Sequence, residues 1–244
     1  MPELVIHPLP ETVAPADLAG GVVVVIDVLR ATTVIVQALA HGARAVVASA
    51  SIEEAHQVAS RWPTPDRLLG GERQGVKIAG FDLDNSPFSY SPEVVAGKTI
   101  IFTTTNGTRA LRWAEQAAEI RIAAFANLTA VVESLREETR PVHLLCAGTD
   151  NRITGEDLLV AGAIAEGLTQ FFTIHRESQI FAEFCRQHGG DSGERLTTMR
   201  DSAGGRNLVE LGFDRDIERA SLIDLFSVVP VLDQLSGELR ITCS

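Results

Sequence analysis

The sequence predicts an α/β fold: a three-layer α/β/α arrangement around a mainly parallel, wound sheet. Apolar runs alternate with helical patterns through the first two thirds of the 244 residues, which is the order of a sheet with helices on both faces. The run Val22-Val23-Val24-Val25-Ile26 is continuously β-branched, as in strands buried on both faces of a parallel sheet. Strand, polar loop and helix recur at Asp27, Thr103 and Cys146, the unit of any wound α/β sheet. With no low-complexity linker in between, residues 1–244 read as one domain.

Strands are expected at 4–7, 22–27, 43–49, 99–103, 119–123 and 142–146, where short apolar runs end in turn residues. Helices are expected near 32–40, 52–62, 108–117, 128–138 and 155–171. Pro63 and Pro65 make 62–66 a loop, and 70–92 has many turn residues and little periodicity. A long irregular loop in a compact domain is usually functional. Residues 176–220 read as helical and more polar; 226–231 and 238–242 return to strand patterns, as a closing hairpin or edge strands.

The composition, 45% hydrophobic and 22% charged, is that of an ordinary globular protein. No apolar stretch has transmembrane length, and residues 1–11 hold three prolines and no Lys or Arg, so neither membrane nor leader is expected, and a cytoplasmic location is the default expectation. Cys146, Cys185 and Cys243 are too scattered for a disulfide framework or a metal knuckle and read as small apolar residues. A formal net charge of −11 without a basic stripe argues against nucleic acid. The sequence lacks a Gly-x-Ser-x-Gly elbow, a phosphate-loop motif, a dinucleotide fingerprint and a His pair at zinc-protease spacing.

Six short segments carry candidate chemistry. The strand at 99–103 runs into Thr104-Thr105-Asn106-Gly107-Thr108, where hydroxyls, an amide and a helix start meet; such a loop suits phosphate, and its alternative is a plain helix cap. Asp27 ends a buried strand where open sheets place ligands; it ligates a hard cation or attacks phosphorus, with Arg30 and Thr32 on the phosphate oxygens, or else it caps the next helix and pairs with Arg30. Gly70-Gly71-Glu72-Arg73 and Asn85-Ser86 add a carboxylate, a guanidinium and two donors, or simply make turns. Gly204-Gly205-Arg206 offers backbone N–H groups and a cation, or is a plain flexible turn, and Glu156-Asp157 opens a helix, either as surface capping or with Asp157 as the inward member. An acidic chain holding an anion needs local charge. Arg30, Arg73, Lys77, Arg109, Arg152 and Arg206 supply it, and a divalent cation would supply the rest.

In order, DVLRATT at Asp27, GGER at Gly70, GFDLDNSP at Gly80, TTTNGT at Thr103, CAG at Cys146, GEDLLVAG at Gly155 and SAGGRNL at Ser202 resemble the 2-phosphosulfolactate phosphatase family over nearly the whole chain. Asp84 stands where that pattern usually has glycine, and Val160 and Ala220 where it often has cysteine. The resemblance implies a Mg²⁺-dependent phosphatase that converts 2-phospho-3-sulfolactate to 3-sulfolactate, a step in a route to coenzyme M.

Combining residues and resemblance, Asp27, Glu72 and Asp157 are the expected metal ligands, and with Arg30 the catalytic group. Arg30, Thr32, Arg73, Asn85, Ser86, Thr104, Thr105, Asn106, Gly107, Thr108, Gly204, Gly205 and Arg206 are the expected phosphate contacts. The strand-then-Asp arrangement is similar to phosphatases that form an aspartyl-phosphate, but those have a second Asp two residues on, where this chain has Leu29. A metal-activated water, oriented by Glu72 or Asp157, is therefore the expected nucleophile. The partner is a small anionic phosphate ester, and a homodimer is the expected assembly. The competing reading is a non-catalytic module that binds a phosphorylated or sulfonated metabolite; the acidic loop positions favour the enzyme.

Overall fold

The computed structural model describes residues 1–241, so position 242 of the last expected strand and Cys243 lie outside the described residues. The strands are β1 Glu3–His7, β2 Val22–Ile26, β3 Ala45–Ala48, β4 Arg67–Arg73, β5 Val76–Lys77, β6 Thr99–Thr103, β7 Glu119–Ala123, β8 Val142–Cys146, β9 Thr173–Ile174, β10 Pro230–Asp233 and β11 Glu238–Ile241. The helices are α1 Ala31–Ala40, α2 Ile52–Ala59, α3 Pro92–Val95, α4 Gly107–Trp113, α5 Leu128–Leu135, α6 Gly155–Gly167, α7 Gln179–His188, α8 Ser192–Asp201, α9 Ala203–Glu210 and α10 Asp214–Ala220. Among the described residues no helix is long and apolar enough to cross a membrane.

All strands join one open sheet in the order β5-β4-β6-β3-β11-β10-β7-β2-β8-β1-β9. Two parallel blocks, β4-β6-β3 and β7-β2-β8-β1-β9, flank an antiparallel hairpin. The fold is thus the expected α/β sandwich, with helices on both faces of a mostly parallel sheet. β2 lies deep in it and all five of its residues are buried. Alternate side chains take opposite faces. Val23 and Val25 pack with Ile35 of α1 and Leu111 of α4, while Val22, Val24 and Ile26 pack with Leu159 and Ile164 of α6. Each such side chain stabilises the fold by about 1.5–3 kcal/mol, so β2 fixes the position of whatever follows it.

Two expectations need correction. The hairpin β10–β11 is neither closing nor at an edge. It fills the gap between the blocks, with Val231 opposite Arg121 of β7 and Leu239 opposite Val46 of β3. Leu239 is fully buried there, because an interior strand must present an apolar side chain to the core. The irregular segment from residue 70 also contains strand: β4 runs through Gly70, Gly71, Glu72 and Arg73 beside β6. Gly71 has φ +136°, and a Cβ on it would lie 1.9 Å from the Thr103 carbonyl oxygen, so the close pairing requires glycine and erases the apolar alternation. Several helices also end before their apolar patterns do: α2 at Ala59, α4 at Trp113, α5 at Leu135 and α6 at Gly167.

Candidate active site

Parallel strands deliver their C-terminal ends to one side of a sheet. Here β2 ends at Asp27, β4 contributes Glu72, β6 leads into Thr104-Thr105-Asn106, and the loop after β8 holds Thr149 and Arg152. The N-terminal part of α9 closes over them with Gly204 and Arg206. Together they line a cavity of about 610 Å³.

Asp27 is only 7% exposed. Its Oδ1 accepts a long bond, 3.3 Å, from the Ala31 N–H, and no donor within the described residues reaches Oδ2. Its backbone is latched by Thr32, whose hydroxyl donates to the Asp27 carbonyl (2.8 Å) and accepts from the Asp27 N–H (3.1 Å). Burial, and then the Glu72 and Glu156 carboxylates, push the Asp27 carboxyl up to about 7 against the opposing Ala31 bond. Gly107 allows this packing. A Cβ there would meet Ala31 Cβ at 2.5 Å, Asp27 Oδ2 at 2.8 Å and Thr104 Oγ1 at 3.3 Å. Gly107→Ala is therefore expected to lower kcat at least about tenfold, because displacement of about 1 Å at a reacting group is costly. Turnover close to parental in a folded variant would show that the Asp27–Gly107 contact has no functional weight.

Glu72 ties two walls together: Oε2 accepts from the Gly75 N–H at 2.7 Å and Oε1 from the Thr105 N–H at 2.8 Å. Gln74, between them, lines the cavity in the left-handed region at φ 54°. Asn85 also lines it, buried, and its Oδ1 has no hydrogen-bond partner. Asp27 Oδ2 and Asn85 Oδ1 are thus hard oxygens without donors, suited to a cation. Among the described residues no three His, Cys, Asp or Glu side chains converge as a ready metal cage.

Asp157 and Glu156 are both buried and neither lines the cavity. Asp157 accepts from the Val28 N–H (2.8 Å) and the Gly148 N–H (3.0 Å), so it clamps the β2 and β8 loops together beneath the site. Glu156 leaves Oε2 without a partner and lies against Gly204. Burial, then Glu156 and Asp27, raise the Asp157 carboxyl well above the usual range; burial likewise raises Glu156.

Of the expected contacts, Arg30, Asn85, Thr104, Thr105, Asn106, Gly204 and Arg206 line the cavity with Asp27 and Glu72. Arg30, however, is engaged elsewhere. It donates to Asp216 Oδ2 at 2.6 Å and to the Gly75 carbonyl at 2.9 Å, and its guanidinium stacks 4.4 Å over Phe213. Ser86 donates to the other Asp216 oxygen at 2.8 Å. Thr108 donates to the Thr104 carbonyl, and the Gly205 N–H donates to Ser202 Oγ, so these groups satisfy their own loops. Arg73 bonds Thr103 Oγ1 and lines a second cleft behind the threonine loop, with Arg109 and Arg112. Asp84 closes a turn by accepting from the Ser86 N–H and Ser89 hydroxyl. No local pattern marks Asp216, in a polar helix 186 positions from Arg30.

Comparison with known proteins places the chain's sequence in a family. The 2-phosphosulpholactate phosphatase family pattern covers residues 8–234. A probable 2-phosphosulfolactate phosphatase of Symbiobacterium thermophilum is 42% identical over 221 residues, 89% of this chain and 94% of the relative. Those of Caldanaerobacter subterraneus subsp. tengcongensis (39% over 216 residues, 88% and 89%) and Parasynechococcus marenigrum (40% over 231 residues, 93% and 94%) are similar. The chain belongs to the 2-phosphosulpholactate phosphatase family, and with it to the phosphoric monoester hydrolases.

Proposed function

We propose that the protein is a Mg²⁺-dependent phosphomonoesterase that converts 2-phospho-3-sulfolactate to 3-sulfolactate and phosphate, on a route to coenzyme M. The observation that carries this is a donor-free Asp27 oxygen in a cavity shared with the Thr104-Thr105-Asn106 loop, in a chain of this family. The donor set fits Mg²⁺, which keeps several waters and needs only one or two carboxylates beside substrate oxygens. Asp27 would hold it, with Asn85 and Glu72 at hand. When bound, the cation supplies charge neutralisation for the phosphate dianion.

Thr104, Thr105 and Asn106 then donate to the equatorial phosphoryl oxygens, whose charge grows in the transition state. Asn106 is free for this, since its side chain makes no capping bond to α4. Glu72 orients the attacking water. The new bond forms between that water oxygen and phosphorus; the ester P–O bond breaks, and its oxygen leaves with a proton as the hydroxyl of sulfolactate. Asp157 serves the same site from below by holding the Val28 and Gly148 backbones.

Chelation is expected to abolish phosphate release from an aryl phosphate, and added Mg²⁺ to restore it. Full activity after exhaustive chelation would remove the cation from this scheme. A protein that binds inorganic phosphate in Mg²⁺ but releases none from any ester would instead be a binding module. In that titration, phosphate at a hundred times its dissociation constant is expected to raise the thermal midpoint by roughly 5–10 °C.

A further inference from the structure

The positive charge expected around the anion is not where the sequence places most of it. Arg30 is neutralised by Asp216, Arg73 and Arg109 line the cleft behind the threonine loop, and Lys77 donates to the Asp82 carbonyl away from the cavity. Arg152 and Arg206 remain. Both are exposed to the cavity, and among the described residues neither forms an ion pair with a carboxylate. Arg206 bonds only the Asp201 carbonyl through its side chain.

The fold brings these two arginines onto one wall. The turn after β8 is tight: Gly148, Asp150 and Asn151 all have φ between 50° and 64°, and Thr149 and Arg152 exchange backbone bonds of 3.0 and 2.9 Å. Non-glycine residues in that region mark a turn held by its surroundings. Against it packs the start of α9, where a Cβ on Gly204 would lie 2.6 Å from Glu156 Oε1 and 3.2 Å from Thr149 Oγ1. Glycine at 204 therefore lets α9 close onto the turn and sets Arg206 on the wall that carries Arg152. Asp150 and Glu210 line the same cavity, so an anion that misses the guanidinium groups meets repulsion.

We propose that Arg152 and Arg206 form a second anion subsite that takes the sulfonate of the substrate and sets the preference for sulfonated phosphate esters. This rests on the phosphatase reading above. One phosphate leaves most of a 610 Å³ cavity unfilled, and a sulfonate held by guanidinium donors would orient the ester with its phosphorus at Asp27. A sulfonate stays ionised across the physiological range, so recognition by two permanent cations is matched in charge at every working pH.

The test compares 2-phospho-3-sulfolactate with 2-phospholactate, which differ only in the sulfonate. Arg152→Gln and Arg206→Gln are each expected to raise KM for the sulfonated ester about tenfold, with kcat falling less than about threefold, as loss of uniform binding requires. The preference for the sulfonated ester should shrink by the same factor. Equal losses on both esters would overturn the subsite. A second arm needs no turnover: calorimetry with 3-sulfolactate should show its Kd weakened about tenfold in each folded variant. Unchanged Kd in the variants, or no binding by the parent protein, would also overturn it. If the parent hydrolyses neither ester yet binds 3-sulfolactate through these arginines, the phosphatase reading fails and the subsite stands.

Discussion

Asp27→Asn is expected to cut turnover at least about a hundredfold, equivalent to some 2.7 kcal/mol of transition-state stabilisation, while making the cation-free protein more stable above neutral pH. The two effects share a cause. Asp27 is buried beside Glu72 and Glu156, and its carboxyl is raised from 3.8 to about 7. A carboxyl that binds its proton more tightly in the folded state stabilises the fold fully below its unfolded pKa. That contribution is lost as pH rises through the folded pKa. For Asp27 the window runs from 3.8 to about 7, so above it the bare carboxylate weighs against folding. Asparagine keeps the shape and removes the charge. In chelator at about pH 8, the variant should melt about 2–4 °C higher, the shift that about 1 kcal/mol gives in a chain of this size, and the gap should close at about pH 4. A variant that melts lower at the higher pH would mean that the carboxylate is needed structurally. Phosphate trapped on Asp27 during turnover would move the residue from holding the cation to attacking phosphorus.

The second large effect concerns Arg30 and Asp216. Their side chains are 2% and 3% exposed and meet at 2.6 Å, with Ser86 and the Gly75 carbonyl completing the set. Four segments converge there: the start of α1, the β4–β5 turn, the loop at Ser86 and α10. Removing one partner of a buried pair strands the other charge and costs about 3–5 kcal/mol. Asp216→Asn is expected to lower the thermal midpoint by roughly 6–20 °C. Arg30→Gln should do the same, and the double variant should lose much less than the sum, since the residues act as a unit. Additive losses would mean that Arg30 works independently of Asp216, as a direct phosphate contact would.

How much of this was legible follows from what each residue bonds to. Asp27 and the threonine loop stand out because a β-branched or apolar strand ends abruptly in polar residues, a pattern set by burial. Glu72 also faces the cavity, although the strand that carries it, β4, was hidden by the Gly70-Gly71 pair that lets it lie against β6. By type and place alone, Thr32, Ser86 and Thr108 are expected to be phosphate donors. Each spends its hydroxyl on a neighbour instead: Thr32 on the Asp27 carbonyl, Ser86 on Asp216, Thr108 on the Thr104 carbonyl. Such self-satisfied loops have the same composition as ligand-binding ones. The Arg30–Asp216 pair spans 186 positions, and no local pattern announces it. The interior place of β10–β11 was equally hidden, because its partners β7 and β3 lie far from it in sequence.

In the proposed function, the cavity at Asp27 hydrolyses a sulfonated phosphate ester. Its most direct test is the release of inorganic phosphate from 2-phospho-3-sulfolactate in Mg²⁺, followed with the parent protein and Asp27→Asn in parallel. Rapid release by the parent, loss of at least about a hundredfold in the variant and 3-sulfolactate as the organic product are expected. No release by the parent, or equal release by the two proteins, would contradict it.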